Sequence, residues 1–281
     1  MAEIVAAVAT SHILMSPAGA DEPAARVFDG MWRLGQHVQA ARPDVIVVVS
    51  NDHMFNIGPE ADAPFFVGCA ASYVPFGEMD IPRDEYRGDA QFGLGLIEHC
   101  RRRGVAMEAL GSLRPDHGIA VPLLFVNPDR AAAVVPLLVN HSRQQGVAAM
   151  ECWYLGQLLG GYISAVAPAS LRVALVGAGG LSHRVGYETM GVDERFDRDF
   201  LADFERGELA RWREMSVEEI EAVAGNGGVE IMNWMMIAAA LPGARASIVY
   251  YEAMPSWLTG MGGAVLRPHE GDGRSRVDDP A

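Results

Sequence analysis

A single α/β domain with a mostly parallel central sheet flanked by helices is the fold class predicted for this chain of 281 residues. Three observations predict it. In Pro43–His53, PDVIVVVSNDH, the β-branched run Val45 to Val49 lies between a proline and Asn51-Asp52, which suits a strand buried on both faces. Similar apolar runs alternate with helical periodicities along the chain, as βαβ units require. These runs end in polar clusters such as Ser50–His53, which packing alone does not call for. Ligands of open α/β sheets bind outside the carboxyl ends of the strands, so the active site is expected there.

Residues 3–10 read as the first strand, ending at Ser11-His12. Asp21-Glu22-Pro23 starts a helix, because Asp caps and Pro suits the first turn. Val27, Phe28, Met31, Leu34 and Val38 carry it to about Ala41. It leads to the strand at 45–50, and a right-handed crossover sets the two strands parallel. If they are also neighbours, His12 and His53 end side by side.

Further on, strands are expected at Pro64–Ala70, Val105–Leu110, Ala131–Val139 and Leu171–Val176, with helices over about Asp84–Arg103 and Ala148–Val166. The loop Arg114–Gly118 follows the second of these strands, Asn140-His141 the third, and Gly177–His183 the fourth. Residues 192–224 are acidic, Arg-rich and helical, with Ser216 and Glu219 spaced as a capping box. After Gly225–Gly228, a Met-rich helix spans Val229–Ala240 and a final strand Ala244–Glu252. The domain is assigned to residues 1–266. Residues 267–281 are polar, without core residues, and are expected to be disordered.

Half the residues are apolar and a fifth are charged, an ordinary globular composition. No apolar run approaches the ~20 residues of a membrane helix. MAEIVAAVATSH lacks the basic start of a signal peptide, so a cytoplasmic location is expected. A net charge of −14 argues against nucleic acid as a partner. All 22 basic residues are Arg, which excludes a Schiff-base lysine, a P-loop and Ser-Lys catalysis. Cys69, Cys100 and Cys152 are far apart and form no CxxC pair, as reduced thiols would.

His12, His53, His141 and His183 each lie just past a predicted strand end, and His117 lies in a loop of the same kind. His37 and His99 fall on polar helix faces and His269 in the tail. One strand-end histidine has a structural explanation; several on one sheet edge project into one crevice. His12 and His53 suggest two imidazole ligands for a metal. Asp52 either orients the His53 ring or turns the backbone. Glu230 and Glu252 are the candidates for a third ligand. Glu230 opens an apolar helix in GNGGVEIMNW. Favouring the helix macrodipole, worth ~0.3–1 kcal/mol, would not account for those glycines. Two His and a carboxylate suit a non-haem Fe(II) oxygenase, and a hydrolytic zinc site uses the same set.

Gly177-Ala-Gly-Gly-Leu-Ser-His183 is not a dinucleotide loop, since the last glycine of GxGxxG falls on Ser182. Nor is it a nucleophile elbow, which needs Gly where Arg184 stands. What remains is a flexible backbone expected to place His183 exposed at a strand end, suited to a general acid/base, with a structural turn histidine as the alternative. Arg184 and His141 are assigned to substrate binding, Arg184 toward a substrate carboxylate unless it serves the fold.

Five segments in order then carry a resemblance: Ser11-His12, Ser50–His53, Asp116-His117-Gly118, Gly179–His183, and Gly228–Glu230 with Asn233-Trp234. Together they resemble the type III extradiol catechol dioxygenases, the superfamily of the catalytic subunit of protocatechuate 4,5-dioxygenase, over nearly the whole chain to about Arg267. The resemblance implies Fe(II) held by His12, His53 and Glu230, with His183 as acid/base and His117 as a second active-site histidine. It implies cleavage of a catechol by O2 beside the two hydroxyls, giving a ring-opened semialdehyde. A homo-oligomer is expected. The protocatechuate enzyme carries a separate small helical subunit over its site, so either residues 192–224 cover this one or a partner subunit does. A metal-dependent hydrolase on the same ligands and a non-catalytic binding relative are the other classes.

Overall fold

Val45–Asn51 is a strand with every residue buried, and it lies inside an eight-stranded sheet. The structure, a computed structural model, describes the whole chain apart from residues 14, 17, 54, 143–145, 185, 187–190 and 268–281. Its elements are β1 (Glu3–Thr10), α1 (Asp21–Ala40), β2 (Val45–Asn51), β3 (Phe65–Gly68), β4 (Ser72–Tyr73), β5 (Tyr86–Arg87), α2 (Ala90–Arg101), β6 (Met107–Leu110) and α3 (His117–Val126). They continue with β7 (Ala133–Val139), α4 (Ala149–Ala165), β8 (Arg172–Ala178), α5 (Glu194–Arg206), α6 (Ala210–Glu214), α7 (Val217–Ala224), α8 (Ile231–Ala239), β9 (Arg245–Met254) and β10 (Thr259–Arg267).

The sheet order is β6-β3-β7-β2-β8-β1-β10-β9. The centre, β7-β2-β8-β1, is parallel, whereas β3 against β7 and the β1-β10-β9 margin are antiparallel. Side chains of a strand alternate between faces, and β2 divides accordingly. Val45, Val47 and Val49 join the core under α2, α4 and α8, while Ile46 and Val48 join the one under α1 and α3. Both faces are covered, which is why the run is apolar throughout.

The structure differs from the sequence reading at several points. β1 and β2 are parallel but not neighbours, because β8 lies between them and pairs with both. The helix expected from Asp84 begins at Ala90. Asp89 caps it by accepting the Phe92 N–H at 2.9 Å, and Tyr86 is drawn into a pair with Tyr73. His117 heads α3 instead of sitting in a loop; this helix is almost wholly buried and so shows no apolar stripe, and Pro122 disguises it further. His99 is buried, not polar-facing, with its ring 5.7 Å from Tyr162 where α2 meets α4. Finally, β9 is not the last strand: glycine-rich β10 enters between it and β1 and carries the domain through Arg267. The rest of the expected tail, 268–281, lies outside the described residues.

The capping box is present, with Ser216 Oγ accepting the Glu219 N–H and Glu219 accepting the Ser216 N–H. Asp21 does not cap: the N-cap is Ala20, and Asp21 acts only through the charge it adds to the first turn. Asp89→Ala is therefore expected to lower unfolding stability by about 1 kcal/mol. Asp21→Ala should cost about 0.3 kcal/mol. Urea titration checks the pair, and equal losses would refute the distinction.

Candidate active site

The site is seated on the glycines that follow β8. Thr10 pairs with Ala178, and Val49 with Gly177, so β1 and β2 stop level with each other on either side of this strand. Beyond it, Gly179 and Gly180 put no side chain between the two flanking loops. The imidazoles of His12 and His53 meet across that gap, with ring centroids 5.0 Å apart. Glu230, in the turn before α8, occupies the same seat. A Cβ on Gly179 would lie 2.7 Å from Glu230 Cβ, and the Gly180 N–H donates to Glu230 Oε2 at 2.6 Å. The glycines are needed for this close approach.

Three imidazoles face the buried carboxylate. His53 Nε2 lies 3.2 Å from Oε1, and His12 Nε2 and His183 Nε2 lie 3.5 and 3.8 Å from Oε2. Burial works to raise the Glu230 pKa, but these rings outweigh it and hold it well below the usual carboxylate range. Burial pushes His12 down to about 3 against the pull of Glu230. Burial would lower His53 too, but bonds to Asp116 and Glu230 raise it to about 10. Neighbouring ligands of one ion with bonds of ~2.1 Å stand about 3 Å apart, so the donor set His12, His53 and Glu230 fits a divalent metal. His12, His53 and His117 also offer nitrogen atoms within 4.8 Å of one another.

Carboxylates stand behind the rings. Asp116, buried at the head of α3, accepts from both the backbone N–H and Nδ1 of His53 at 3.1 Å. Asp52 instead turns the backbone, accepting the N–H groups of Asn56 and Ile57. Glu78 accepts the His117 N–H and lies 3.4 Å from its Nδ1. The turn presenting Glu78 holds Met79 and Asp80 at φ 56° and 59°, a left-handed strain kept where it orients a side chain. Sequence reasoning missed the roles of Asp116 and Glu78. Asp116 was visible beside His117, whereas nothing around Glu78 marked it.

His183 donates through Nδ1 to the Leu181 carbonyl at 2.9 Å, so neutral His183 carries a bare Nε2 toward Glu230. Its backbone is stitched to the end of α7 by bonds to Ala224 and Gly227. Residues 192–224 thus pack against one side of the site. Beside His183, Ser182 gives its N–H and hydroxyl to buried Asp197 at 2.7 and 3.0 Å, and Tyr251 donates to the same carboxylate at 3.0 Å.

His141 lies two residues past β7, and neither ring nitrogen has a partner among the described residues. Burial lowers its pKa to about 4, against the attraction of Glu230. Arg184 donates to the Ala222 carbonyl at 3.1 Å and so helps hold α7. Glu252 is engaged by Arg26 on the outer strand β9. A cavity of about 790 Å³ is lined by Leu266, Gly160 and Ala240, with Glu3 the only titratable group among its described lining residues, so it does not hold the chemistry.

The family described as the catalytic LigB subunit of aromatic ring-opening dioxygenase matches residues 7–262. Two proteins named 2,3-dihydroxyphenylpropionate/2,3-dihydroxicinnamic acid 1,2-dioxygenase are similar throughout. That of Comamonas testosteroni is 25% identical over 78% of this chain and 83% of its own length. That of Burkholderia vietnamiensis is 26% identical over 81% and 85%. The crystal structure of an uncharacterized protein from Escherichia coli K12 has the same fold, with a TM-score of 0.59 at 14% identity, covering 93% of this chain and 99% of that one.

Burial pushes Asp197 up to about 7 against its three hydrogen bonds. A carboxyl whose folded pKa exceeds its unfolded value adds stability below the unfolded pKa and loses it as pH rises through the folded one. The melting temperature of wild type should therefore fall more than that of Asp197→Asn between about pH 5 and about pH 8. Parallel curves would show that Asp197 does not titrate there.

Proposed function

Because the chain belongs to the family of catalytic LigB subunits of aromatic ring-opening dioxygenases, we propose that it opens a catechol-type ring with O2 beside the two hydroxyls. The product is a ring-opened semialdehyde, and Fe(II) is held by His12, His53 and Glu230. The observation that supports this reading is the buried Glu230 carboxylate faced by Nε2 of both His12 and His53. Fe(II), when bound, supplies a Lewis acid that favours the ionised diol and brings it together with dioxygen.

The residues divide the remaining work. Asp116 fixes the His53 ring with Nδ1 protonated, so that Nε2 points inward. The bare Nε2 of His183 takes a phenolic proton and returns it when the ring opens. His117, held by Glu78, orients the substrate hydroxyl or oxygen from the other side, its ring 4.1 Å from that of His53. His141 is neutral and serves as a hydrogen-bonding group on the substrate side. The near-complete burial of His12, Glu230 and His183 excludes water from the reacting atoms. The relatives' names make ortho-diols with a carboxylated side chain the first substrates to try. A cytoplasmic location belongs to the same proposal, on the three free thiols. No helix among the described residues is long and apolar enough to cross a membrane.

Oxygen uptake with a yellow ring-opened product, from protein loaded anaerobically with Fe(II), tests the reaction; its absence across a panel of catechols would remove it. His183→Phe is expected to keep metal and catechol binding and to lose about 10²–10⁴ in turnover. Unchanged turnover would deny His183 its role. Metal analysis after gel filtration should find iron lost from Glu230→Ala and kept in Glu252→Ala, with circular dichroism confirming that both fold. The reverse pattern would overturn the ligand assignment.

A further inference from the structure

The site is closed on one side and open on the other. His12, Glu230 and His183 side chains are 1%, 4% and 5% exposed, whereas those of His53 and His117 are 20% and 19% exposed. The more exposed pair, His53 and His117, marks the open side. Three segments hold these two rings: the loop after β2, the turn containing Glu78, and the residues before α3. Each carries a second residue two positions away, Phe55 from His53, Phe76 from Glu78 and Arg114 from Asp116. Two positions span at most about 7 Å.

These second residues meet one another. The rings of Phe55 and Phe76 lie 4.9 Å apart, and the Arg114 guanidinium sits 4.3 Å from the Phe76 centroid. The three segments are tied together by Phe76 N–H to the Pro115 carbonyl at 3.0 Å and Arg114 N–H to Asn56 Oδ1 at 2.8 Å. Phe55 is nonetheless 50% exposed, a large apolar surface at the mouth of a polar site.

Arg114 has no carboxylate partner among the described residues, although the chain carries 36 acidic residues against 22 basic ones. Among the described residues its guanidinium makes one hydrogen bond, to the Pro75 carbonyl at 3.3 Å. The nearby acids Asp116 and Glu78 are occupied by His53 and His117. Arg184, the cation that the sequence placed near a substrate carboxylate, is directed instead to the Ala222 carbonyl of α7, on the closed side of the site.

We propose that Phe55, Phe76 and Arg114 form an outer subsite that takes the side chain of an ortho-diol substrate, its carbon linker against the two rings and its terminal carboxylate on the guanidinium. The subsite selects catechols with an anionic side chain over neutral ones. It deepens the ring-cleavage reading and rests on it for the placement of the diol.

The test is equilibrium binding by titration calorimetry, under anaerobic conditions, to the full chain loaded with Fe(II). The probes are 3-(2,3-dihydroxyphenyl)propionate and its primary amide. Wild type is expected to favour the acid, and Arg114→Met to cut the acid-to-amide affinity ratio by about tenfold to a hundredfold, the range of a charge-assisted bond. Arg114→Lys should restore part of the ratio, and Phe55→Ala should weaken both probes. Arg102→Met, the same charge change just past the end of α2, should leave the ratio alone. Equal wild-type affinities, or a ratio unchanged in Arg114→Met, would overturn the subsite. Oxygen uptake run in parallel separates the two readings. Arg114-dependent preference without ring cleavage keeps the subsite and removes the reaction; cleavage of both probes with no dependence on Arg114 does the opposite.

Discussion

A carboxylate taken out of water is the constraint on which the rest of this structure depends. Glu230 is 3% exposed, and an uncompensated buried charge costs several kcal/mol. The fold answers with the Gly180 N–H and a half-circle of imidazoles. Accommodating that arrangement accounts for features that look unrelated along the chain. β8 must be followed by residues without side chains. The turn ahead of α8 must press against them. β1 and β2 must end level with each other on either side.

Behind the imidazoles stands a second set of acids, each from a different segment. Asp116 fixes His53, Glu78 fixes His117, and Asp197 fixes the residue preceding His183. Each acid has burial or hydrogen bonding that ties it to the main chain, so the rings inherit the rigidity of the scaffold. Geometry held in this way favours proton transfer and metal binding, because little has to move when a ligand arrives. The left-handed pair Met79-Asp80 marks the point where the backbone bends most to supply one of these supports.

The two flanks of the site differ in kind. Toward α7 it is sealed by main-chain bonds between His183 and Ala224 and Gly227. Toward α3 it is edged by exposed aromatic rings and an arginine. In the proposed reaction the sealed flank protects the reacting atoms, and the edged flank meets the part of a substrate that does not react. Selectivity and chemistry are thereby assigned to different segments, which lets one vary without disturbing the other.

The α/β class, the buried strand at 45–50 and the strand-end histidines were legible in the sequence because side-chain periodicity and strand-end polarity are local properties. So was the contrast between Glu230, set among glycines, and Glu252, which is not. Helix α3 and strand β10 were hidden, one because burial on every side erases the apolar stripe, the other because glycines suppress strand propensity. Only tertiary structure decided that β8 separates β1 and β2, since strand order depends on long-range pairing that no short stretch encodes. For the same reason only folding could show which acid serves which histidine, and that Arg114 lies over Phe76 at the open edge whereas Arg184 bonds to Ala222 in α7: those contacts join residues tens of positions apart.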